Sequence, residues 1–265
     1  MTTVQAIVLG ALQGATEFLP VSSSGHLVIT KEIFGAATVP VLFDVLLHVA
    51  TLVAVVIVLR RQVWLLLRAS LRWMGRRTQA EDRPYLRLIP LIVVTTGITG
   101  GIGVFFDSRF DIRNPVVTSL LFLVTAGFLI ATRWARGDRP LTRIRWVDTL
   151  VLGVAQGFGV LPGISRSGIT ISTALYTGMD RGAAGEYSFL LSIPAILGAL
   201  VLTLGDAGEL GAQVGTVPIL AGFLSAMMVG FFALTLLMKI VRAGRISLFA
   251  LYLIPLGIWG LITFA

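Results

Sequence analysis

Gln13-Gly-Ala-Thr-Glu-Phe-Leu-Pro-Val-Ser-Ser-Ser-Gly-His26 decides how this chain folds, because it sets polar and helix-breaking residues inside the apolar run Val4–Phe34. A second copy, Gln156-Gly-Phe-Gly-Val-Leu-Pro-Gly-Ile-Ser-Arg-Ser-Gly-Ile-Thr170, interrupts the apolar run Val147–Thr177. Gln13 and Gln156, Ser22 and Ser165, and Gly25 and Gly168 each stand 143 residues apart. Proline removes a helical donor and glycine relaxes the backbone. Each run is therefore expected to break, at Leu19-Pro20-Val21 and Leu161-Pro162-Gly163, into two half-helices of a re-entrant hairpin.

Around these hairpins the chain is too apolar for water. Of 265 residues, 56% are hydrophobic and 13% charged, and the mean hydropathy is +0.92, whereas soluble domains carry about 25% charged residues. An all-α polytopic membrane protein follows, since helices satisfy their own backbone polar groups in lipid. The chain has no cysteine, which excludes disulfides, thiolate metal sites and cysteine nucleophiles. Its N-terminus lacks a basic n-region and a cleavage site, so no removed signal peptide is expected.

Six segments have the roughly 20 apolar residues a span needs: Val39–Leu59, Leu86–Phe106, Pro115–Thr132, Ala184–Leu204, Thr216–Met238 and Ile246–Ala265. The net charge of +8 lies in the loops between them, which argues against nucleic acid. Arg60 to Arg87, Arg133 to Arg145, and Lys239, Arg242 and Arg245 form three basic loops. The alternate loops hold Asp107, Arg109, Asp111 and Arg113, and Asp206 and Glu209. By the positive-inside rule the basic loops are cytoplasmic. A hairpin and three spans then make up each half, in inverted-topology repeat, with the first hairpin opening outward and the second inward. The expectation is a single integral membrane domain over 1–265, its halves at about 1–135 and 146–265, joined by a basic cytoplasmic loop. Trp64–Met74 suits either an interfacial amphipathic helix or an ordinary basic loop.

Gln13 and Glu17 share a helix face. An unpaired carboxylate in an apolar run is costly, so Glu17 should meet an arginine, a metal ion or water; an interfacial glutamate reaching solvent is the plainer alternative. Ser22, Ser23, Ser24 and Gly25 open the second half-helix, whose first-turn amides suit an anion. Ser22 and Ser23 stand four and three residues before His26, close enough for either hydroxyl to reach the imidazole as an activated nucleophile. For that tripeptide alone, N-capping with a headgroup-facing histidine is the simpler account. In the second copy, Ser165, Arg166, Ser167 and Gly168 add a guanidinium suited to phosphate. Thr170 and Ser172 either line the site or bond back to their helix. Together the two tips suit a phosphate or diphosphate whose remainder lies in lipid. Asp44, His48 and Glu186 are explained by interface anchoring or helix-end charge, and Gly97, Gly101 and Gly103 by close helix packing.

Gln13 to His26 and Leu161 to Ser172 closely resemble the two signatures of the undecaprenyl-diphosphate phosphatase family, the bacitracin-resistance type, and the layout is similar over the whole chain. The resemblance implies hydrolysis of a C55 isoprenoid diphosphate to the monophosphate and phosphate. It implies a lipid carrier recycled for cell-wall synthesis, and a site on the outer side of the bacterial plasma membrane. Glu17, Ser23, His26 and Arg166 match the family's catalytic positions. The implied substrate-binding set is Gln13, Ser22, Ser24, Gly25, Gln156, Ser165, Ser167, Gly168, Thr170 and Ser172. A divalent cation, Mg2+ or Ca2+, is expected near Glu17 and Gln13, although the family's motif often has glutamate in place of Gln13. Ser23 attacks phosphorus with His26 or Glu17 managing its proton; direct attack by water is the competing mechanism. Inverted repeats with broken helices also build secondary transporters, so a lipid-phosphate flippase or anion transporter is the functional alternative. The partners expected are the polyprenyl diphosphate, membrane lipids and no nucleic acid, with a homodimer left open.

Overall fold

The computed structural model describes residues 1–34, 41–109, 114–203 and 214–264. The span ends expected at Val39, Leu204 and Ala265, and the loop residues Asp111, Arg113, Asp206 and Glu209, lie outside these. Among the described residues there are eleven α-helices and no β-strand. They are α1 (Thr3–Phe18), α2 (Ser23–Phe34), α3 (Val41–Val58), α4 (Arg60–Met74), α5 (Arg83–Arg109), α6 (Pro115–Ala131), α7 (Trp146–Phe158), α8 (Arg166–Tyr176), α9 (Arg181–Thr203), α10 (Thr216–Arg242) and α11 (Ala250–Phe264).

Four stretches are long and apolar enough to cross a membrane: Ala80–Phe106, Arg181–Val201, Thr216–Arg242 and Ile246–Phe264. A fifth is reached if Leu42–Val58 and Arg60–Met74 count as one span, but they meet at a bend of 85°. Pro115–Ala131 is apolar and shorter, at 17 residues. Trp64, Leu67, Leu71, Trp73 and Met74 stay exposed on α4, while Arg68 and Arg72 pair with Glu81. The Trp64–Met74 stretch is thus helical, with an apolar surface no other element covers among the described residues. Val93, Val104, Leu220, Leu224, Phe232, Leu251 and Ile262 also face outward, as lipid contact requires.

Both helix breaks occur where Pro20 and Pro162 stand. α1 ends at Phe18 and α2 starts at Ser23; α7 ends at Phe158 and α8 starts at Arg166. α1 lies along α10 and α7 along α5, while α3 and α9, and α6 and α11, pack on each other. Glycines set the first two contacts. A Cβ on Gly10 would come within 2.2 Å of the Gly222 carbonyl oxygen, and one on Gly14 within 2.6 Å of that of Ala226. On α7, Cβ atoms on Gly153 and Gly157 would meet the Ile98 and Ile102 side chains at 2.9 and 2.7 Å. Gly10 and Gly153, and Gly14 and Gly157, stand at the same 143-residue spacing as the motifs.

The glycines expected to pack helices closely do not. Gly97 and Gly101 have open space where a Cβ would project, and at Gly103 it would make ordinary contact with Val160. The α5 surface that meets α7 presents Ile98 and Ile102, and the small residues that allow the approach belong to α7.

Candidate active site

The two breaks meet. Ser22, at the turn before α2, has φ 65°, a left-handed conformation uncommon outside glycine. Its Oγ accepts from the Gly25 amide at 3.3 Å and from the Gly163 amide of the other break at 3.0 Å. Gly163 has φ 98°, and a Cβ there would lie 2.3 Å from the Thr118 carbonyl oxygen. A Cβ on Gly25 would come within 2.7 Å of the Gly163 nitrogen and of the Phe122 ring, and one on Gly168 within 3.2 Å of Pro20. Ser165 caps α8 by accepting from the Gly168 amide at 3.1 Å and contacts the Ser167 hydroxyl at 3.2 Å. The Ser167 hydroxyl reaches the Leu19 carbonyl at 3.5 Å. Ser22, Gly25, Ser165, Ser167 and Gly168 therefore build the junction between the tips.

Beside it lies a cavity of about 320 Å³, lined among others by Glu17, Ser23, Ser24, His48, Gln156 and Arg166. Glu17, on the last turn of α1, is 7% exposed. Arg166 Nη2 donates to its Oε1, and Gln13 Nε2 donates to its Oε2 at 2.9 Å. The Arg166 side chain is 28% exposed and borders the cavity. The carboxylate that the sequence left between arginine, metal and solvent is held by an arginine of the other repeat.

The serine triplet divides by position. The Ser22 hydroxyl is committed to two amides, and Ser24 Oγ lies 3.5 Å from it. The Ser23 hydroxyl has no hydrogen-bond partner among the described residues and borders the cavity. Because Ser23 and Arg166 are the first residues of α2 and α8, their amides, with those of Ser24 and Ser167, lie in the first turns, where helical partners are missing.

The contact expected between a serine hydroxyl and His26 is not formed. His26 Nδ1 donates to the Ser22 backbone carbonyl at 2.8 Å and Nε2 lies 2.7 Å from the Tyr252 hydroxyl. The ring stacks on Tyr252 with centroids 5.7 Å apart, and it does not line the cavity. Ser22 lies outside the helix, so the four-residue spacing brings its carbonyl under the ring and sends its hydroxyl to Gly163. Thr170 and Ser172 also lie elsewhere. Thr170 Oγ1 donates to the Arg166 carbonyl at 2.7 Å and contacts Ser188; Ser172 Oγ is buried without a partner among the described residues. Both are buried on α8 and neither borders the cavity.

Gln156 is 1% exposed. Its Nε2 donates to Thr99 Oγ1 at 3.0 Å, while Oε1 has no partner among the described residues, although the residue borders the cavity. His48 is the member the sequence reading missed. It borders the cavity, with Nε2 3.4 Å from Glu17 Oε2. The available signal was that His26 and His48 are the chain's two histidines and that His48 lies well inside an apolar run.

The cavity offers a resident cation few protein ligands. Both Glu17 oxygens already receive N–H groups, and the described residues contain no group of three His, Cys, Asp or Glu side chains able to hold a metal.

The profile of the bacitracin resistance protein BacA family matches residues 6–259. The chain belongs to this family. Curated relatives covering nearly the whole chain carry the name undecaprenyl-diphosphatase. One from Treponema denticola is 44% identical over 97% of this chain and 96% of its own. One from Carboxydothermus hydrogenoformans is 40% identical, again over 97% and 96%. One from Korarchaeum cryptofilum is 38% identical over 97% of this chain and 98% of its own. These names support hydrolysis, and nothing in the comparisons supports the flippase or transporter alternative.

Proposed function

We propose that this chain hydrolyses undecaprenyl diphosphate to undecaprenyl phosphate and inorganic phosphate, recycling the lipid carrier for cell-wall synthesis and conferring bacitracin resistance. Family membership and the relatives' names support this. The observation that carries it is the meeting of Glu17 and Arg166 beside a cavity that Ser23 also borders, its hydroxyl without a partner among the described residues.

In this reading the prenyl tail stays in lipid and the diphosphate enters the cavity. Arg166 and the first-turn amides of α2 and α8 receive the phosphate oxygens, a setting that needs no reorganisation as charge moves. Arg166 exchanges its Glu17 partner for phosphate, leaving Glu17 to take the Ser23 proton. Ser23 Oγ bonds to the terminal phosphorus as the bridging P–O bond breaks, and undecaprenyl phosphate departs with the bridging oxygen. Water then cleaves the phosphoserine, giving inorganic phosphate and restoring the hydroxyl. Gln13 steadies Glu17, Gln156, Ser24 and Ser165 border the substrate, and His26 holds the start of α2. A divalent cation, Mg2+ or Ca2+, would come with the substrate and offset the charge of its diphosphate.

The 143-residue spacing and the paired contacts of α1 with α10 and α7 with α5 support two inverted halves, at about 1–135 and 146–265, with six spans and two re-entrant hairpins. The basic loops support a site opening to the outer side of the bacterial plasma membrane. Phosphate release by purified protein in detergent from a C55 diphosphate tests the function. Release by the wild-type protein is expected, and its absence overturns the reading.

A further inference from the structure

We infer that His48 is a positioning residue for Glu17, fixing the carboxylate on the cavity side of α1 from the opposite wall. The inference rests on hydrolysis taking place at this cavity.

The geometry is specific. His48 sits on α3, in register with Asp44 one turn earlier, and its Nδ1 lies 2.9 Å from the Asp44 backbone carbonyl oxygen. A carbonyl only accepts, so Nδ1 carries a hydrogen and the ring plane is set by α3 itself. That leaves Nε2 directed at Glu17 Oε2, 3.4 Å away. Gln13 holds the same oxygen along α1. Glu17 is therefore gripped from three helices: by Gln13 on α1, Arg166 on α8 and His48 on α3.

The three grips are not equivalent. Arg166 borders the cavity and is the group a phosphate would recruit. Once it turns to substrate, Gln13 and His48 are what keep the carboxylate from following it. Among the described residues the His48 ring pairs with no charged side chain besides Glu17. The wall that α9 contributes is Ala195, Ile196 and Ala199, and α10 bears its charges, Lys239 and Arg242, only in its last turn. An amide could replace the imidazole, since Gln13 already shows an amide nitrogen satisfying this oxygen. A phenyl ring of similar bulk could not.

His48→Phe and His48→Gln, assayed with wild type for phosphate release from a C55 diphosphate, separate the cases. The expected result for His48→Phe is kcat lowered about 100-fold, the scale of a misplaced catalytic group, with KM little changed. His48→Gln should recover most of that loss. Thermal unfolding in detergent shows whether His48→Phe is folded; if it is not, the fold-change between His48→Gln and His48→Leu is read instead. Wild-type rates in a folded His48→Phe variant overturn the inference and leave the hydrolytic function standing. A raised KM with unchanged kcat, or failure of His48→Gln to rescue, also overturns it. If wild type itself frees no phosphate, the function falls first.

Discussion

Glu17 accepts a hydrogen bond from Arg166 across 149 residues of chain, and the two come from non-equivalent places in the repeat. By the 143-residue spacing, Glu17 corresponds to Val160 and Arg166 to Ser23. The second half thus has valine where the first has its acid, and the first has serine where the second has its guanidinium. One scaffold was used twice and given complementary chemistry, so that acid, hydroxyl and cation converge on a single cavity.

Arg166→Ala removes the charge that meets the phosphates and leaves Glu17 with one fewer donor. Turnover is expected to fall by about 1,000-fold or more, the scale of an arginine that stabilises phosphoryl transfer. Arg166→Lys should fall between alanine and wild type, because it keeps the charge and loses the planar fork. Steady-state phosphate release measures both; an Arg166→Ala rate near wild type would remove the substrate from this cavity.

Ser23 and its neighbour Ser22 should separate cleanly. Ser23→Ala is expected to abolish a phosphorylated intermediate, trapped by acid quench with substrate labelled at the terminal phosphate, and to leave the melting temperature unchanged. Ser22→Ala should instead destabilise the fold by about 1–3 kcal/mol, since it strips the buried Gly163 amide of its acceptor. Calorimetry in detergent reads the second effect. Substantial turnover by Ser23→Ala without any trapped intermediate would favour direct attack by water.

Chelation should silence the enzyme without loosening it. If the cation arrives on the diphosphate, EDTA abolishes phosphate release while the unfolding temperature of the substrate-free protein stays put. A downward shift in that temperature would reveal a resident ion and return Gln13 and Glu17 to the role of ligands.

Gly14→Leu should disrupt the α1–α10 contact, because even a Cβ at this position meets the Ala226 carbonyl oxygen at 2.6 Å. A cost of about 1–3 kcal/mol or more is expected from overpacking, seen as a lowered unfolding temperature. Gly97→Leu, facing open space, should be tolerated.

How much could be read beforehand follows from these contacts. The helix breaks were legible because proline and glycine act locally, at Pro20 and at Pro162-Gly163. The Glu17–Arg166 pair was legible because charges in apolar runs need partners and the motif repeats. His48 was not: nothing in its spacing along α3 points to its partner Glu17, which lies on another helix. The glycine contacts were misjudged because composition does not say which face turns inward. Gly10 and Gly14 recur as Gly153 and Gly157 at the motif spacing, a pattern more telling than the glycine-rich α5. The hydroxyl–imidazole contact expected of Ser22 or Ser23 is replaced because Ser22, with φ of 65°, sends its hydroxyl elsewhere and the ring is taken by the Ser22 carbonyl and Tyr252.

The Ser22–Gly163 hydrogen bond has a mechanical consequence. A carrier that exposes one pocket to each side of the bilayer in turn must let its two halves slide past each other at mid-membrane. Here the two helix breaks are fastened to each other by the Ser22 side chain on the Gly163 main chain, and Pro20 lies against Gly168 beside it. Sliding would shear these joints at once. Such rigidity suits a molecule that transforms its cargo where it docks and then lets it drift back into the lipid it came from.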